Sequence, residues 1–313
     1  MTLPSTLHQP LAPHAQGLMA ALRFVLVAPS HAGNIGSVVR AMKTMGLEDL
    51  VVVNPKEADF VNHPQARALA SGATDLLARA RTADSLQEAL ADCQLAVAVS
   101  AAPREFGPLP RTPAEVAADA IGQLQQGRVS RVAMVFGTER TGLLIQEMQM
   151  CQELISIPAN PDYSSLNLSQ AAQIVAFSLR QQLMLSQAAS APSPQGQGRE
   201  QGAARTAGQG EALARHDDVE RLHAHIEHAL VAIGYLDPAE PKRLLPRLRR
   251  LFARTRLESS EVDLLHGICR QMEKVAAGVA AGVAAEVAAG AKPPAPDARR
   301  AQGRRTRRSG DHA

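Results

Sequence analysis

At 313 residues, 45% of them apolar, the chain is long enough for one large domain or two smaller ones, each with its own core. Six Phe, two Tyr and no Trp exclude base stacking on aromatic rings as the main mode of any nucleic-acid recognition, and leave Ala, Val and Leu to fill a core of parallel strands between helices. The formal charge of +3 is uneven: residues 292–313 hold seven basic side chains against two acidic ones, so the rest stands at −2 and the basic balance does not by itself mark the folded part as a nucleic-acid binder.

Residues 1–20 carry Pro, His and Gln without periodicity and are expected to be disordered. No secretory pattern is present, because the apolar run 18–29 is broken by Arg23 and is far short of a membrane span. Over 21–185, short β-rich runs alternate with helical patterns. Strands are predicted at 23–28, 50–53, 95–100, 132–136 and 154–157, and helices at 35–45, 65–79, 85–91, 113–126, 143–150 and 166–185. This alternation predicts an α/β domain with a parallel sheet covered on both faces. Cys93, Cys151 and Cys269 lie far apart and without metal-ligand spacing. Their odd number points to a reducing compartment, so a cytoplasmic protein with no membrane segment is expected.

Residues 186–216 hold almost no large apolar side chain and read as a flexible linker. Three helical segments over 217–274 then form a small all-α extension. Val219, Leu222, Ile226, Leu230 and Ile233 share one face of the first segment, and Leu244, Leu245, Leu248, Leu251 and Phe252 one face of the second. Ser260 and Asp263 form a capping box for the third, which is expected to bury Val262, Leu265 and Ile268. The stretch 275–313 opens on a four-residue Ala/Val/Gly repeat, either a weak helical extension or disordered, since each glycine costs a helix about 1 kcal/mol. It closes in an Arg-rich tail too polar to fold.

Three segments share one form, a buried strand running into a polar loop and then a helix. The first, 24–27, enters His31-Ala32-Gly33-Asn34-Ile35-Gly36-Ser37 and a helix bearing Arg40. The second, 132–136, enters Gly137-Thr138-Glu139-Arg140-Thr141-Gly142. The third, 155–180, turns through Pro158 and Pro161 and enters its helix by way of Ser164, Ser165, Leu166 and Asn167. Backbone N–H groups and hydroxyls at a helix start suit an anionic or polar ligand. Three such loops in one α/β domain predict a composite site at the carboxyl edge of the sheet. A dinucleotide fingerprint is demoted, because it needs a glycine where His31 stands and an acid where Asn54 stands. Each loop also has a plain reading. By spacing alone Arg40 is a solvated helix residue, Gly137 and Gly142 close a turn around surface charges, and Ser164 or Ser165 is an ordinary N-cap.

Taken in order, the three segments resemble the three motifs of the SPOUT class of RNA methyltransferases, in its 2′-O-ribose branch, and within it the bacterial tRNA (cytidine/uridine-2′-O-)-methyltransferases. The resemblance covers about 22–184 and resumes over about 217–274. It implies a Rossmann-like parallel sheet with a C-terminal trefoil knot, S-adenosyl-L-methionine as cofactor, no metal, and a homodimer with the site at the subunit interface. It also implies tRNA as substrate, with nucleotide 32 of the anticodon loop as target. Carried over by position, Arg40, Asn34, Ser165 and Asn167 are the catalytic set. Asn34 orders the site, and Arg40 binds the target phosphate. An arginine, with a free pKa above about 12, is better suited to stabilising a developing 2′-alkoxide than to acting as a base. Ser100, Gly137, Gly142, Ile157, Pro158 and Leu166 fall in the cofactor pocket, Glu139 supports them, and Arg140 falls on an RNA phosphate contact. In one departure, Ala102 stands where relatives have an Arg after Ser100-Ala101. Arg104 follows two residues on, and no RNA role is assigned to this loop.

In the 217–274 extension, Arg243, Arg247, Arg250 and Arg254 recur at helical spacing opposite the leucines, broadened by Lys242, Arg249 and Arg256. The stripe reads either as a phosphate-contacting RNA-binding face or as a solvated face paired with acids such as Glu258. His223, His225 and His228 lack the carboxylate of a metal motif and read as solvated. Two other functions stay open: the same chemistry on ribosomal RNA, and a non-catalytic RNA-binding factor on the same scaffold. The helical extension favours tRNA over the first. Intact Asn34, Arg40, Glu139, Ser165 and Asn167 favour an enzyme over the second.

Overall fold

Seven strands, β1 (Leu22–Val27), β2 (Asp49–Val53), β3 (Arg81–Ala83), β4 (Leu95–Val99), β5 (Pro110–Arg111), β6 (Val132–Phe136) and β7 (Glu153–Ile155), form one sheet in the order β3-β2-β1-β6-β4-β7-β5. Every pairing is parallel. The structure is a computed structural model that describes residues 11–101, 107–190 and 211–288. The central strands are apolar throughout because both sheet faces are covered. Phe24, Leu26, Val52, Val97, Met134 and Phe136 point into one core, while Val25, Val27, Val51, Ala98, Ala133 and Val135 point into the other.

The first core is closed by α1 (Pro13–Ala20), α2 (Ala32–Met45), α3 (Pro64–Ala70), α4 (Thr74–Arg79), α6 (Pro113–Gln125) and α8 (Leu168–Ser190). The second is closed by α5 (Leu86–Leu90) and α7 (Ile145–Gln149). β6 lies between β1 and β4, and β7 between β4 and β5. The chain ends of β1, β6, β4 and β7 therefore lie side by side, which brings the three polar loops to one edge. Arg23, which interrupts the first apolar run, is buried at the start of β1 and pairs with Asp49 at 2.9 Å and Asp92 at 2.6 Å. Burial works against its charge, and the two carboxylates more than offset it.

Several expectations are corrected. Residues 13–20, expected to be disordered, form α1, which buries Ala15, Leu18 and Met19. The helix predicted over 65–79 breaks at Ser71, whose φ of +51° is incompatible with an α-helix, and a 3-10 turn over Ser71–Ala73 separates α3 from α4. The edge strands β3 and β5 were not expected. Residues 186–190 continue α8 rather than opening the linker. Leu213 and Ala214, at the linker's far end, are buried. The remainder of that linker, 191–210, lies outside the described residues, as do 1–10, the Arg-rich tail from 289, and Ala102 and Arg104.

The extension consists of α9 (His216–Ala232), α10 (Leu244–Thr255) and α11 (Ser259–Ala288). Ala214, Leu222, Leu257 and Val262 form its core, with Val219, Ile226, Phe252 and Leu265 packed against it. Ile233, Leu251 and Ile268 stay outside it, each more than two-fifths exposed. α11 begins at Ser259 rather than after Ser260, and the Glu261 carboxylate accepts from the Glu258 N–H at 2.8 Å. The Ala/Val/Gly repeat continues α11 to Ala288, alanine outweighing the glycines. The extension is docked on the sheet domain. The His216 N–H donates to the Cys93 carbonyl at 2.7 Å and the Leu213 N–H to the Arg128 carbonyl at 3.0 Å. Among the described residues no helix is long and apolar enough to cross a membrane.

Candidate active site

The three loops are joined by side chains. β1 leaves the sheet through Ala28, whose φ of +45° turns the chain back so that the Ser30 N–H donates to Glu139 at 2.8 Å. Asn34, in the first turn of α2, donates its Nδ2 to the other Glu139 oxygen at 2.8 Å. Asn167, entering α8, donates to the Asn34 Oδ1 at 3.2 Å. Glu139 of the second loop, Asn34 of the first and Asn167 of the third thus form one hydrogen-bonded chain. Burial pushes the Glu139 carboxyl up, but the Asn34 amide and the Ser30 N–H more than offset it and hold its pKa below the usual carboxylate range.

The second loop closes on itself. The Gly142 N–H donates to the Thr138 carbonyl at 3.0 Å, and the hydroxyls of Thr138 and Thr141 lie 2.8 Å apart. Gly137 has no room for a side chain, since a Cβ there would enter the backbone of Gly142 and Leu143. Gly142, at φ +65°, instead faces open space. At the third loop the cap of α8 is Asn167, not Ser164 or Ser165: its Oδ1 accepts from the Ser169 N–H at 2.9 Å.

Beside this chain lies a cavity of about 210 Å³ at the carboxyl edge of β4 and β6. Ser100, Gly137, Gly142, Ile157, Ser165 and Leu166 all line it, six of the eight candidate site residues that meet there. Glu139 and Arg140 line it too, Arg140 as an exposed side chain at its rim. Pro158 is exposed and stands outside the lining, as do Asn34 and Asn167, which act from behind the wall. Arg40 is exposed on α2 and does not line the cavity of its own chain. Sequence reasoning missed the Ser30 N–H, a backbone group without a signature. It also missed the Thr138–Thr141 pair, for which the T-x-x-T spacing between two glycines was an available signal.

The arginine stripe splits. Arg243, Arg247 and Arg254 are exposed, whereas Arg250 is half-buried. Arg249 and Arg256 turn inward, Arg249 to Glu220 at 2.9 Å and Arg256 to Asp119 at 2.7 Å and to Glu153. The histidines are not all solvated. His225 lies 2.6 Å from His266 and His228 2.7 Å from Glu273, and His223 packs on Phe252 with ring centroids 5.7 Å apart. Burial, with Arg249 close by, pulls the His223 pKa down to about 4. Among the described residues no group of three or more His, Cys, Asp or Glu side chains is arranged to hold a metal ion.

A parallel α/β sheet whose carboxyl-edge loops are joined around one pocket, with a helical extension docked beside it, is the arrangement of one methylase class. Residues 21–177 match the SpoU rRNA Methylase family, and the chain belongs to it. Residues 217–281 match the C-terminal domain of the tRNA methyltransferase TrmJ. The chain is similar to the tRNA (cytidine/uridine-2′-O-)-methyltransferase TrmJ of Cronobacter sakazakii, 41% identical over 256 residues that cover 80% of this chain and 96% of the relative. It is 39% identical over 259 residues to the tRNA (cytidine/uridine/adenosine-2′-O-)-methyltransferase TrmJ of Pseudomonas aeruginosa, with 82% of this chain and 96% of that one covered. Among solved structures, TrmJ from Z. mobilis ZM4 superposes with a TM-score of 0.65 at 29% identity, over 81% of this chain and 100% of that one.

Proposed function

We propose that the chain transfers a methyl group from S-adenosylmethionine to a ribose 2′-OH of tRNA, at nucleotide 32 of the anticodon loop. It would do so in the cytoplasm, as a homodimer with a knotted C-terminal pass. The observation that carries this reading is the chain Glu139–Asn34–Asn167, which joins all three motif loops behind one pocket. The residues fit the cofactor. Ile157 and Leu166 offer an apolar wall for a flat base, Ser100 and Ser165 offer hydroxyls, and Gly142 leaves the backbone open to close approach. S-adenosylmethionine, when bound, supplies a methyl group on a positively charged sulfur. The protein's part is largely alignment of acceptor and donor.

Glu139 performs that alignment as a carboxylate rather than as a proton carrier, since both its oxygens are already held by donors. Arg40 is exposed and has no ion-pair partner among the described residues. That leaves its guanidinium available for the phosphate beside the target ribose, where it stabilises the charge developing on the 2′-oxygen. Its absence from the pocket of its own chain supports an Arg40 supplied by the partner subunit.

The test is to incubate the protein with S-adenosylmethionine and unmodified tRNA transcripts and to map 2′-O-methylation by nucleotide, with Arg40→Ala alongside. A methyl at nucleotide 32 that the variant fails to add is the expected result. Methylation of ribosomal RNA with none on tRNA overturns the substrate assignment. Cofactor binding without methylation of either RNA overturns the enzyme reading.

A further inference from the structure

A second cleft, of about 290 Å³, opens between the sheet domain and the extension. Leu109 and Arg111 line one wall, Glu153 the floor, and Arg250, Arg254 and Arg256 the other wall. Its charges are not equivalent. Arg111 pairs with Glu153 at 3.0 Å and Asp119 at 3.5 Å, and Arg256 pairs with the same two carboxylates. These four groups cancel one another and fasten the two walls together. Arg250 and Arg254, one turn apart on α10, have no acidic partner among the described residues. Arg250 is also half-buried, where a charge without a counter-ion is costly.

We infer that this cleft takes backbone phosphates of the RNA substrate, with Arg250 and Arg254 each neutralising one. The proposal rests on the RNA-methylation reading for the identity of the polyanion. The cleft and the methyl-donor pocket lie along the same segments. Ser100 and Ala101 line the pocket and Leu109 lines the cleft a few residues later. From Glu153 in the cleft the chain runs through β7 and two residues beyond it to Ile157 in the pocket, at most roughly 13 Å at the rise of a strand. One strand of RNA spans that distance within a few phosphates. Among the described residues its walls hold arginines and Leu109 but no aromatic ring, a lining suited to the backbone rather than to a base. RNA would therefore be held between the two units, and the outer face carrying Arg243 and Arg247 would be a separate contact.

The experiment compares the full chain with Arg250→Gln/Arg254→Gln. Affinity for a tRNA transcript is measured as a function of salt, together with methylation and S-adenosylmethionine binding. Neither arginine holds an acidic partner among the described residues, so the variant is expected to keep the parent's unfolding midpoint and cofactor affinity. The slope of log affinity against log salt should fall by about 1.4 to 1.8, the loss of two phosphate contacts. An unchanged slope in a variant that still binds and methylates tRNA overturns the cleft and leaves the methylation reading standing. A reduced slope in a protein that binds RNA but methylates no tRNA upholds the cleft and overturns that reading. A parent protein that binds no RNA overturns both.

Discussion

Asn34 stands between two motif loops with both ends of its amide engaged, donating to Glu139 at 2.8 Å and accepting from Asn167 at 3.2 Å. That polarity admits one orientation of the amide. Asn34→Asp replaces the donor by a second carboxylate facing Glu139, at nearly unchanged volume. The variant should lose about 1–3 kcal/mol at neutral pH, the cost of setting like charges together and leaving Glu139 short of a donor. The sign with pH is fixed. Glu139 has a depressed pKa in the folded protein, so its contribution is complete above the unfolded carboxylate pKa and is lost as pH falls through the folded value. The like-charge pair in the variant is relieved as pH falls from neutral, because repulsion raises the pKa of one member and that member takes a proton. Urea unfolding at neutral pH and near pH 4.5 should therefore show a gap that narrows on acidification, and a constant gap would refute the pairing.

His216, buried, and His223, half-buried, give the domain junction its own pH dependence. His216 is almost fully buried with neither ring nitrogen bonded among the described residues, and His223 lies beside Phe252 and Arg249. Glu220, itself held by Arg249, and Asp217 are the acids that face them. Both histidines are held neutral, with folded pKa values below the ordinary one. Their contribution is complete above about pH 6.5 and is lost as pH falls toward the His223 value of about 4. His223 alone accounts for up to about 3 kcal/mol of this loss. His223→Leu keeps the packing on Phe252 and removes the titration. Its stability should fall less steeply than the parent's between pH 6.5 and 4, followed by chemical unfolding at each pH.

What the sequence made legible depended on the range of the cause. The three loops were readable because strand, polar turn and helix start are written within a dozen residues, and their convergence followed from a parallel sheet alone. The strands β3 and β5 were not, because three and two residues are too few to show a period of two. Periodicity put Arg249 and Arg256 on the same charged stripe as Arg250 and Arg254. It carried no information about Glu220, Asp119 and Glu153, the carboxylates that turn two of the four inward. The helix over 65–79 was read through Ser71, where only the backbone angle reveals the break. The pocket was thus predicted better than the charged face of α10.

Glycines separate the architecture of the site from its contents. At Gly36 a Cβ would enter the carbonyl of Ala66, so α2 and α3 pack as closely as they do because no side chain stands there. Gly36→Ala must push α2 away, carrying Asn34 and Arg40 with it, and should cost about 1–3 kcal/mol. Gly137→Ala drives the second loop off the Gly142–Leu143 backbone, and its main effect should be weaker S-adenosylmethionine binding by calorimetry. Gly72→Ala serves as the comparison, because nothing lies within 4 Å of a Cβ there. Equal stability of the Gly36 and Gly72 variants would contradict the close approach.

The exposed Arg40 supplies the last prediction. If the partner subunit completes each pocket, an Arg40→Ala chain and a Ser165→Phe chain are each inactive alone, the first for want of the guanidinium and the second because the ring fills the exposed pocket lining. Random mixing makes about half of the dimers mixed, and in each of these one site draws both of its intact parts from different chains. Mixing equal amounts after dissociation should then recover about a quarter of the parent activity. An Arg40 acting on its own pocket predicts no recovery at any ratio, since every site in the mixed dimer would lack one part. Methyl transfer to tRNA, assayed across a series of mixing ratios, distinguishes the two by whether activity passes through a maximum at equal amounts or stays at zero.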